Sequence, residues 1–213
     1  MTQVSVVARH RKYCSRTVRV LVACLFEAAV PNVTFAEFPR QRGDSNAVEC
    51  HSLSQVNLTG TAWARIAAQH ALDPYLLYAV ALIESGTGSG GLIAPSAWTI
   101  RNEGKPYYYS TKADALKHLN RLVKMGHPSV DVGMMQINYR WHQKDIKSFE
   151  SLLSPDENIN LGATILAASM ASVPGDHILG VGRYHAWSNE PQAQRYGLRA
   201  VRLAHRLRCG TGG

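Results

Sequence analysis

One stretch of this 213-residue chain is apolar on nearly every side and ends in a carboxylate. Residues 75–83 are all aliphatic or aromatic, and Glu84 follows them directly. Asp73 is a favourable N-cap, Pro74 suits the first helical position, and Gly86 is typical of a helix end. The pattern predicts a helix that is buried on all sides, so the rest of the chain has to fold around it.

Glu84 continues one face of this helix, because it lies seven residues after Leu77 and four after Val80. An apolar surrounding and the last turn of a helix both disfavour the ionised form of a carboxyl group. A carboxyl group that keeps its proton can protonate a glycosidic oxygen. The position of Glu84 is equally typical of an ordinary polar residue at the point where a helix reaches the surface. The catalytic and the ordinary interpretation therefore both stay open.

The rest of the chain predicts a mainly α fold, of the α+β kind, built around this central helix. A short helix is expected after Thr61, and Thr111 is expected to cap another. Ser154-Pro155-Asp156-Glu157 has the pattern of a capping box with proline at the first helical position. Another segment covers about residues 176–187, and a last helix opens at Asn189-Glu190-Pro191.

One small β-hairpin is predicted inside this helical domain. Residues 98–101 and 106–109 have the composition of two strands, and residues 102–105 would form the turn between them. The glycine-rich run 86–91 is interpreted as a break without regular structure. The aromatic residues of the hairpin either form a wall for stacking sugar rings or pack against the protein; they are Trp98, Tyr107, Tyr108 and Tyr109.

The amino-terminal residues predict export. Residues 1–36 have the form of a signal peptide, with a basic leader, an apolar stretch at 20–30 and a small-residue cleavage site at Thr34 and Ala36. Residues 37–58 are polar and irregular, and residues 59–213 would form one periplasmic domain. The formal net charge of +8 falls to about +4 without the leader (18 basic minus 14 acidic residues), which suits contact with an acidic polymer. No nucleic-acid recognition motif accompanies it, so we expect no nucleic-acid partner.

The cysteines and histidines predict a disulfide and no metal site. Removal of the leader leaves Cys50 and Cys209, and a lone pair in an oxidising compartment is more often a disulfide than two thiols. The nine histidines have no metal-ligand spacing, and no phosphate loop or serine-nucleophile motif is present. We therefore expect a monomer without a metal or cofactor.

Four motifs, taken in order, resemble the soluble lytic transglycosylase (SLT) family. They are Glu84-Ser85, Gly133-Met134-Met135-Gln136-Ile137-Asn138, Asn158-Ile159-Asn160-Leu161-Gly162 and Tyr184-His185-Ala186-Trp187. His185 and Trp187 stand where the family has asparagine and glycine. The 48 residues between Glu84 and Gly133 exceed the usual interval. That insertion resembles a subgroup encoded with conjugative elements and with pilus or type IV secretion systems.

The resemblance implies a lysozyme-like fold and cleavage of the peptidoglycan bond between N-acetylmuramic acid and N-acetylglucosamine, which leaves a 1,6-anhydro end. Glu84 would act first as the acid and then as the base. Tyr184 would be the second catalytic residue, by a hydrogen bond to Glu84, and Ser85 would hold the carboxyl group. The implied substrate-binding residues are Ser85, Met135, Gln136, Asn138 and His185. Components of a conjugative or pilus secretion system are the implied protein partners.

Two alternatives stay open. A lysozyme-like hydrolase would need a second carboxylate to position water, and Asp131 and Glu103 are the nearby candidates. A non-catalytic wall-binding or assembly module would keep the fold without the reaction. The presence of Glu84 and Ser85 together argues against the non-catalytic module.

Overall fold

The computed structural model of the chain describes residues 56–89, 92–127 and 129–209, all within the unit Ala47–Gly213. The predicted signal peptide, Cys50 and all but the last three residues of segment 37–58 lie outside the described residues. The described part contains seven helices. They are α1 (Ala62–Gln69), α2 (Pro74–Ser85), α3 (Lys112–Lys124), α4 (Phe149–Leu152), α5 (Pro155–Ala171), α6 (His177–Gly182) and α7 (Glu190–Cys209).

Local sequence explains how most of these helices begin. The side chains of Thr61, Asp73 and Thr111 each accept a hydrogen bond from a backbone N–H in the first turn of α1, α2 and α3. The capping box predicted at Ser154 is wrong, since this side chain makes no capping hydrogen bond. The Ser154 hydroxyl instead donates to the carbonyl oxygen of Glu150 at 2.9 Å, which links α5 to the short helix before it.

The described residues form six short strands in two antiparallel sheets. The strands are β1 (Gly86–Ser89), β2 (Leu92–Pro95), β3 (Thr99–Asn102), β4 (Lys105–Tyr108), β5 (Val130–Val132) and β6 (Ile137–Asn138). β1 pairs with β2, and the second sheet has the order β4-β3-β5-β6. The predicted hairpin is therefore β3 and β4, whose turn holds Glu103 and Gly104 at φ of 51° and 78°. The predicted glycine-rich break is instead the start of the β1–β2 hairpin.

The apolar helix α2 lies at the centre of the core, as predicted. Leu77, Ala79, Val80 and Ala81 are all 0% exposed, and α2 packs against α7. The mainly α fold class is confirmed, since the described residues form seven helices and two small sheets. No single helix among the described residues is long and apolar enough to cross a membrane.

α6 and α7 touch along their backbones because glycine stands at both contact points. A Cβ atom on Gly182 would lie 1.8 Å from the carbonyl oxygen of Ala193. A Cβ atom on Gly197 would lie 1.9 Å from the carbonyl oxygen of Ile178. Any larger residue would separate the helices, so the glycines fix the position of α7 against α6 and, through it, against α2.

Candidate active site

The buried carboxylate at the end of α2 is the centre of the candidate site. Glu84 is 8% exposed. Its Oε1 atom accepts a hydrogen bond of 2.6 Å from the hydroxyl of Tyr196 on α7. The Nδ1 atom of His185, in the turn after α6, lies 3.7 Å from the same oxygen. Three elements that are distant in sequence therefore meet at one carboxylate.

His185 and Tyr196 form a stacked pair beside Glu84. Their rings are parallel to within 4°, and the centroids are 4.6 Å apart. The hydrogen bond with Glu84 raises the pKa of His185, against the effect of burial, and the charge of Glu84 adds to the rise. The imidazolium form is thus favoured beside the carboxylate, with a flat aromatic surface behind it.

A second carboxylate lies within electrostatic reach of Glu84. Burial raises the pKa of Asp131 on β5, and the charge of Glu84 raises it further. The side-chain amide of Asn138 donates to Oδ1 of Asp131 at 2.7 Å, and this hydrogen bond acts in the opposite direction. The other predicted candidate, Glu103, is 69% exposed in the hairpin turn, 3.5 Å from His127. Only Asp131 has the setting that a second active-site carboxylate would need.

Arg101 connects the sheet to the end of α2. Its guanidinium donates to the backbone carbonyl oxygen of Glu84 at 3.2 Å. Arg101 also lies directly opposite Asp131 on the neighbouring strand, in the β3–β5 register. A cation at the C-terminal end of a helix offsets the negative end of the helix dipole. The charge of Arg101 lowers the pKa of Asp131 and so opposes part of the rise that burial causes.

The motif from Gly133 to Asn138 forms a tight turn that a buried amide holds in place. Asn158 of α5 is 2% exposed. Its side chain accepts from the backbone N–H of Met135 at 2.8 Å and donates to the carbonyl oxygens of Val132 and Leu152. Gly133 has φ of 80°, and a Cβ atom there would lie 2.3 Å from the Asn158 amide nitrogen. Glycine and asparagine are thus required together at these two positions.

The hydrogen bond predicted between Tyr184 and Glu84 is wrong. The Tyr184 hydroxyl donates to the carbonyl oxygen of Met135 at 2.6 Å, and Tyr196 occupies the predicted place beside Glu84. Burial raises the pKa of Tyr184 well above its usual value, so the hydroxyl stays a donor. Tyr184 therefore fixes the Gly133–Asn138 turn from the side of α6.

Ser85 also makes contacts other than those predicted. Its hydroxyl donates to the carbonyl oxygen of Met134 at 2.7 Å and accepts from the backbone N–H of Ser96 at 3.3 Å. Neither of these hydrogen bonds involves the Glu84 carboxyl group. Ser85 thus ties the end of α2 to the motif turn and to the residue after β2.

The predicted substrate-binding residues of the turn differ in what they can reach. Met135 is 0% exposed and lies against Gly162, so its side chain belongs to the core, contrary to the prediction. The amide nitrogen of Gln136 donates to the carbonyl oxygens of Gly133 and Thr99, which keeps this side chain inside the protein. Asn138 is partly exposed, and its side-chain amide donates a hydrogen bond to Asp131. Its side chain is the one most open to a ligand among the three.

Tyr196 is the residue that the sequence interpretation missed. It lies on the buried face of α7 that also includes Ala193, Ala200 and Ala204. Small residues at this spacing indicate close helix packing, and an aromatic residue among them must point into the domain. Burial raises the pKa of Tyr196 well above its usual value, and the neighbouring Glu84 charge adds to this effect. The spacing of this face was the available signal.

The predicted disulfide stays a prediction. The sulfur of Cys209, at the end of α7, lies 3.6 Å from Nδ1 of His205. Its predicted partner, Cys50, lies outside the described residues. Within the described ranges, no group of three or more histidine, cysteine or acidic side chains could hold a metal ion.

The chain matches a known protein-family model. The family model described as "Transglycosylase SLT domain" matches residues 61–195, which is more than half of the chain. The matched span includes Glu84, the Gly133–Asn138 turn, Asn158 and His185, and it ends one residue before Tyr196. No curated protein and no solved structure matches the chain at a significant level.

Proposed function

The chain belongs to the transglycosylase SLT domain family, whose members are lytic transglycosylases of peptidoglycan, and we propose the reaction that it performs. It cleaves the β-1,4 bond between N-acetylmuramic acid and N-acetylglucosamine and leaves 1,6-anhydro-N-acetylmuramic acid ends. The observation that carries the proposal is Glu84, a carboxyl group that is 8% exposed and bound by the Tyr196 hydroxyl at 2.6 Å.

In the first step Glu84 acts as a general acid. Its proton passes to the glycosidic oxygen, the bond to the anomeric carbon breaks, and N-acetylglucosamine leaves as an alcohol. The positive charge that develops at the anomeric carbon is stabilised by the acetamido group of the substrate itself. The Tyr196 hydroxyl keeps the carboxyl group oriented during this transfer, and its donated hydrogen bond stabilises the carboxylate that forms.

In the second step the Glu84 carboxylate acts as a general base. It removes the proton from the 6-hydroxyl of the muramic acid residue, whose oxygen then attacks the anomeric carbon and closes the anhydro ring. Glu84 regains its proton, so no water is consumed and one carboxyl group completes the cycle. His185 lies 3.7 Å from Oε1 of Glu84 and supports the carboxylate stage when protonated.

The residues around Glu84 have supporting roles in this proposal. Tyr184 and Ser85 position the motif turn through Met135 and Met134 and act on catalysis through that turn. Asn138 presents its partly exposed side chain to the glycan. Gln136 and Met135 shape the groove from within, since their own contacts are internal.

The cellular role follows from the insertion between Glu84 and Gly133. It contains the strands β1 to β5 and helix α3, which lengthen the short interval usual in the family. We propose that the enzyme is exported to the periplasm and acts as a monomer that opens the wall locally for a conjugation, pilus or type IV secretion apparatus. Fractionation of the host, together with DNA transfer or pilus assembly in a strain that carries Glu84→Gln, tests this role.

The reaction is tested by digestion of purified peptidoglycan and mass spectrometry of the released fragments, with Glu84→Gln as the control. Anhydro ends that are absent in the control would support the proposal. Reducing ends in their place would contradict it. An absence of fragments from a folded protein that binds the wall would favour the non-catalytic module.

A hydrolase is the second candidate, and the position of Asp131 favours it. Burial raises the pKa of Asp131, and the charge of Glu84 raises it further. A carboxylate there could orient a water molecule toward the anomeric carbon. Reducing ends that disappear in Asp131→Asn would assign the reaction to this pair of carboxylates.

A further inference from the structure

A cleft of about 520 Å³ lies between β4 and α3, apart from the residues that contact Glu84. Three consecutive tyrosines, Tyr107 to Tyr109, form one wall. Lys117, His118 and Arg121 of α3 form the other. The cleft lies within the insertion that separates Glu84 from the Gly133–Asn138 turn, and the reaction described above makes no use of it.

The aromatic wall is held by one histidine. Tyr107 meets the His118 ring edge to face, with centroids 4.8 Å apart and planes at 78°. Tyr109 meets the same ring at 5.6 Å and 61°, and its hydroxyl is hydrogen-bonded to Nδ1 of His118. These contacts keep both tyrosines against α3, whereas Tyr108 between them is 49% exposed. The rings packed on His118 are therefore not free to stack on a sugar.

The charges of the cleft are arranged to receive an anion. Lys117 and Arg121 are both exposed at its rim. The Asp114 carboxylate, which also lines the cleft, accepts from the Thr111 hydroxyl at 2.6 Å, so the two cations stand against one anion. Burial lowers the pKa of His118, and the charges of Arg121 and His127 lower it further. The charges of Lys117 and Arg121 at the rim are what attract an anion to this cleft.

We propose that this cleft binds carboxylate groups of the peptide stems of peptidoglycan, an inference that rests on the proposed function. The sugars of a stem-bearing strand carry no free charge, whereas the stems carry carboxylates. Lysine and arginine side chains bind carboxylates through charge-assisted hydrogen bonds. The cleft thus recognises the part of the polymer that the catalytic groove does not need for its chemistry.

The position of the cleft suits a stem attached to a sugar near Glu84. The cleft borders β4, the edge strand of the sheet whose β3 and β5 carry Arg101 and Asp131. Neighbouring strands lie about 4.8 Å apart, so β4 is about 10 Å from β5. A four-residue stem spans about 13 Å when extended. A stem can therefore reach around the edge of the sheet while its sugar lies in the groove.

The test is binding of a soluble stem tetrapeptide to the full chain, measured by calorimetry and by NMR of His118. We expect the stem to bind and to raise the pKa of His118, and the same peptide with its carboxylates converted to amides to do neither. Arg121→Gln should weaken binding about tenfold, the usual loss for one charge-assisted hydrogen bond. Lys117→Gln is the second variant, with a loss of similar size. Lys124→Gln, on the same helix outside the cleft, should bind as the wild type does.

Equal binding of the free and amidated stems would overturn the proposal, as would unchanged binding in both Arg121→Gln and Lys117→Gln. A change in the His118 signals with neutral chitotetraose, but not with the stem, would assign the cleft to sugars and also overturn it. The readout is binding and needs no cleavage. Stem binding by a chain that releases no anhydro ends would therefore refute only the proposed reaction. Release of anhydro ends by a chain that does not bind the stem would refute only this inference.

Discussion

The Tyr196 hydroxyl donates a hydrogen bond of 2.6 Å to Oε1 of Glu84 across 112 residues of sequence. Both side chains are buried, at 7% and 8% exposure, so water does not compete effectively for this bond. A hydrogen bond to a charged group under these conditions is worth about 1.5–3 kcal/mol. The relationship makes α7 part of the candidate active site and leads to the first prediction.

Tyr196→Phe should lower the kcat for peptidoglycan about tenfold to a hundredfold, because it removes that hydrogen bond while keeping the ring. Release of soluble fragments from purified walls measures the loss. Tyr78→Phe is the matched control, since Tyr78 is equally buried but packs on Trp63, with ring centroids 5.1 Å apart. An unchanged kcat in Tyr196→Phe would show that the bond has no part in the reaction.

The second prediction concerns the amide that holds the motif turn. Asn158→Ala leaves the Met135 N–H and the carbonyl oxygens of Val132 and Leu152 without their buried partner. The free energy of unfolding should fall by about 2–4 kcal/mol, measured by urea denaturation. Asn160→Ala, two residues along the same helix and exposed, should change it by about 0.5 kcal/mol or less. Equal losses in both variants would refute the role given to Asn158.

The third prediction concerns the contact between α6 and α7. Gly197→Ala places a methyl group 1.9 Å from the carbonyl oxygen of Ile178, so α7 must move away. We expect a loss of about 2–3 kcal/mol in unfolding free energy together with reduced activity, since Tyr196 is the next residue. Leu198→Ala, at the surface of the same helix, is the control for both measurements. Full activity in Gly197→Ala would show that the position of Tyr196 tolerates this shift.

The sequence alone predicted those features of the fold that depend on short-range residue patterns. Apolar periodicity and end signals identified α2 and placed Glu84 in its last turn, because a helix that is apolar on all sides can only be buried. The hairpin at β3 and β4 followed in the same way from its turn residues. The β1 and β2 hairpin was missed, because each strand has only four residues and two of the four in β1 are glycines.

Sequence could not determine which side chain meets Glu84. Both Tyr184 and Tyr196 suit that role by type, and the choice depends on how closely α6 and α7 approach. Gly182 and Gly197 bring these helices into backbone contact, which directs Tyr196 toward α2 and leaves Tyr184 on the carbonyl oxygen of Met135. The same limit applies to Met135, whose burial against Gly162 is a property of tertiary packing.

The fourth prediction follows from the raised pKa of His185. The folded state holds the imidazolium beside Glu84, so the pair stabilises the protein fully below the unfolded His185 pKa of about 6.5. This stability is lost as the pH rises through the higher pKa of the folded state. His185→Asn should therefore be less stable than the wild type near pH 6 and should approach it in alkali.

Urea denaturation at several pH values measures this difference, with the exposed His177→Asn as the control. The His185 side chain is 38% exposed, so solvent screening keeps the effect small. A stability difference that does not change with pH would show that the two side chains do not interact as ions. A pH profile of fragment release for the same variants would report whether the pair also sets the active range.

The fifth prediction distinguishes the effect of Asp131 on stability from its effect on the reaction. Burial raises the pKa of Asp131 in the folded protein, so the folded state binds its proton more tightly than the unfolded state does. Stability then falls as the pH rises through the interval between the unfolded pKa and the higher folded one. At neutral pH the carboxylate is thus a net cost, and Asp131→Asn should raise the melting temperature while keeping the acceptor for Asn138.

Activity of the same variant decides between the two reactions. If Glu84 works alone, Asp131→Asn should still release anhydro ends, with a rate within about tenfold of the wild type. If Asp131 positions water, the variant should be more stable and nearly inactive, and the ends that remain should not be reducing. Asp145→Asn, a carboxylate that is 60% exposed beside His142, is the control for the loss of one negative charge. A lower melting temperature in Asp131→Asn would refute the electrostatic account of this site.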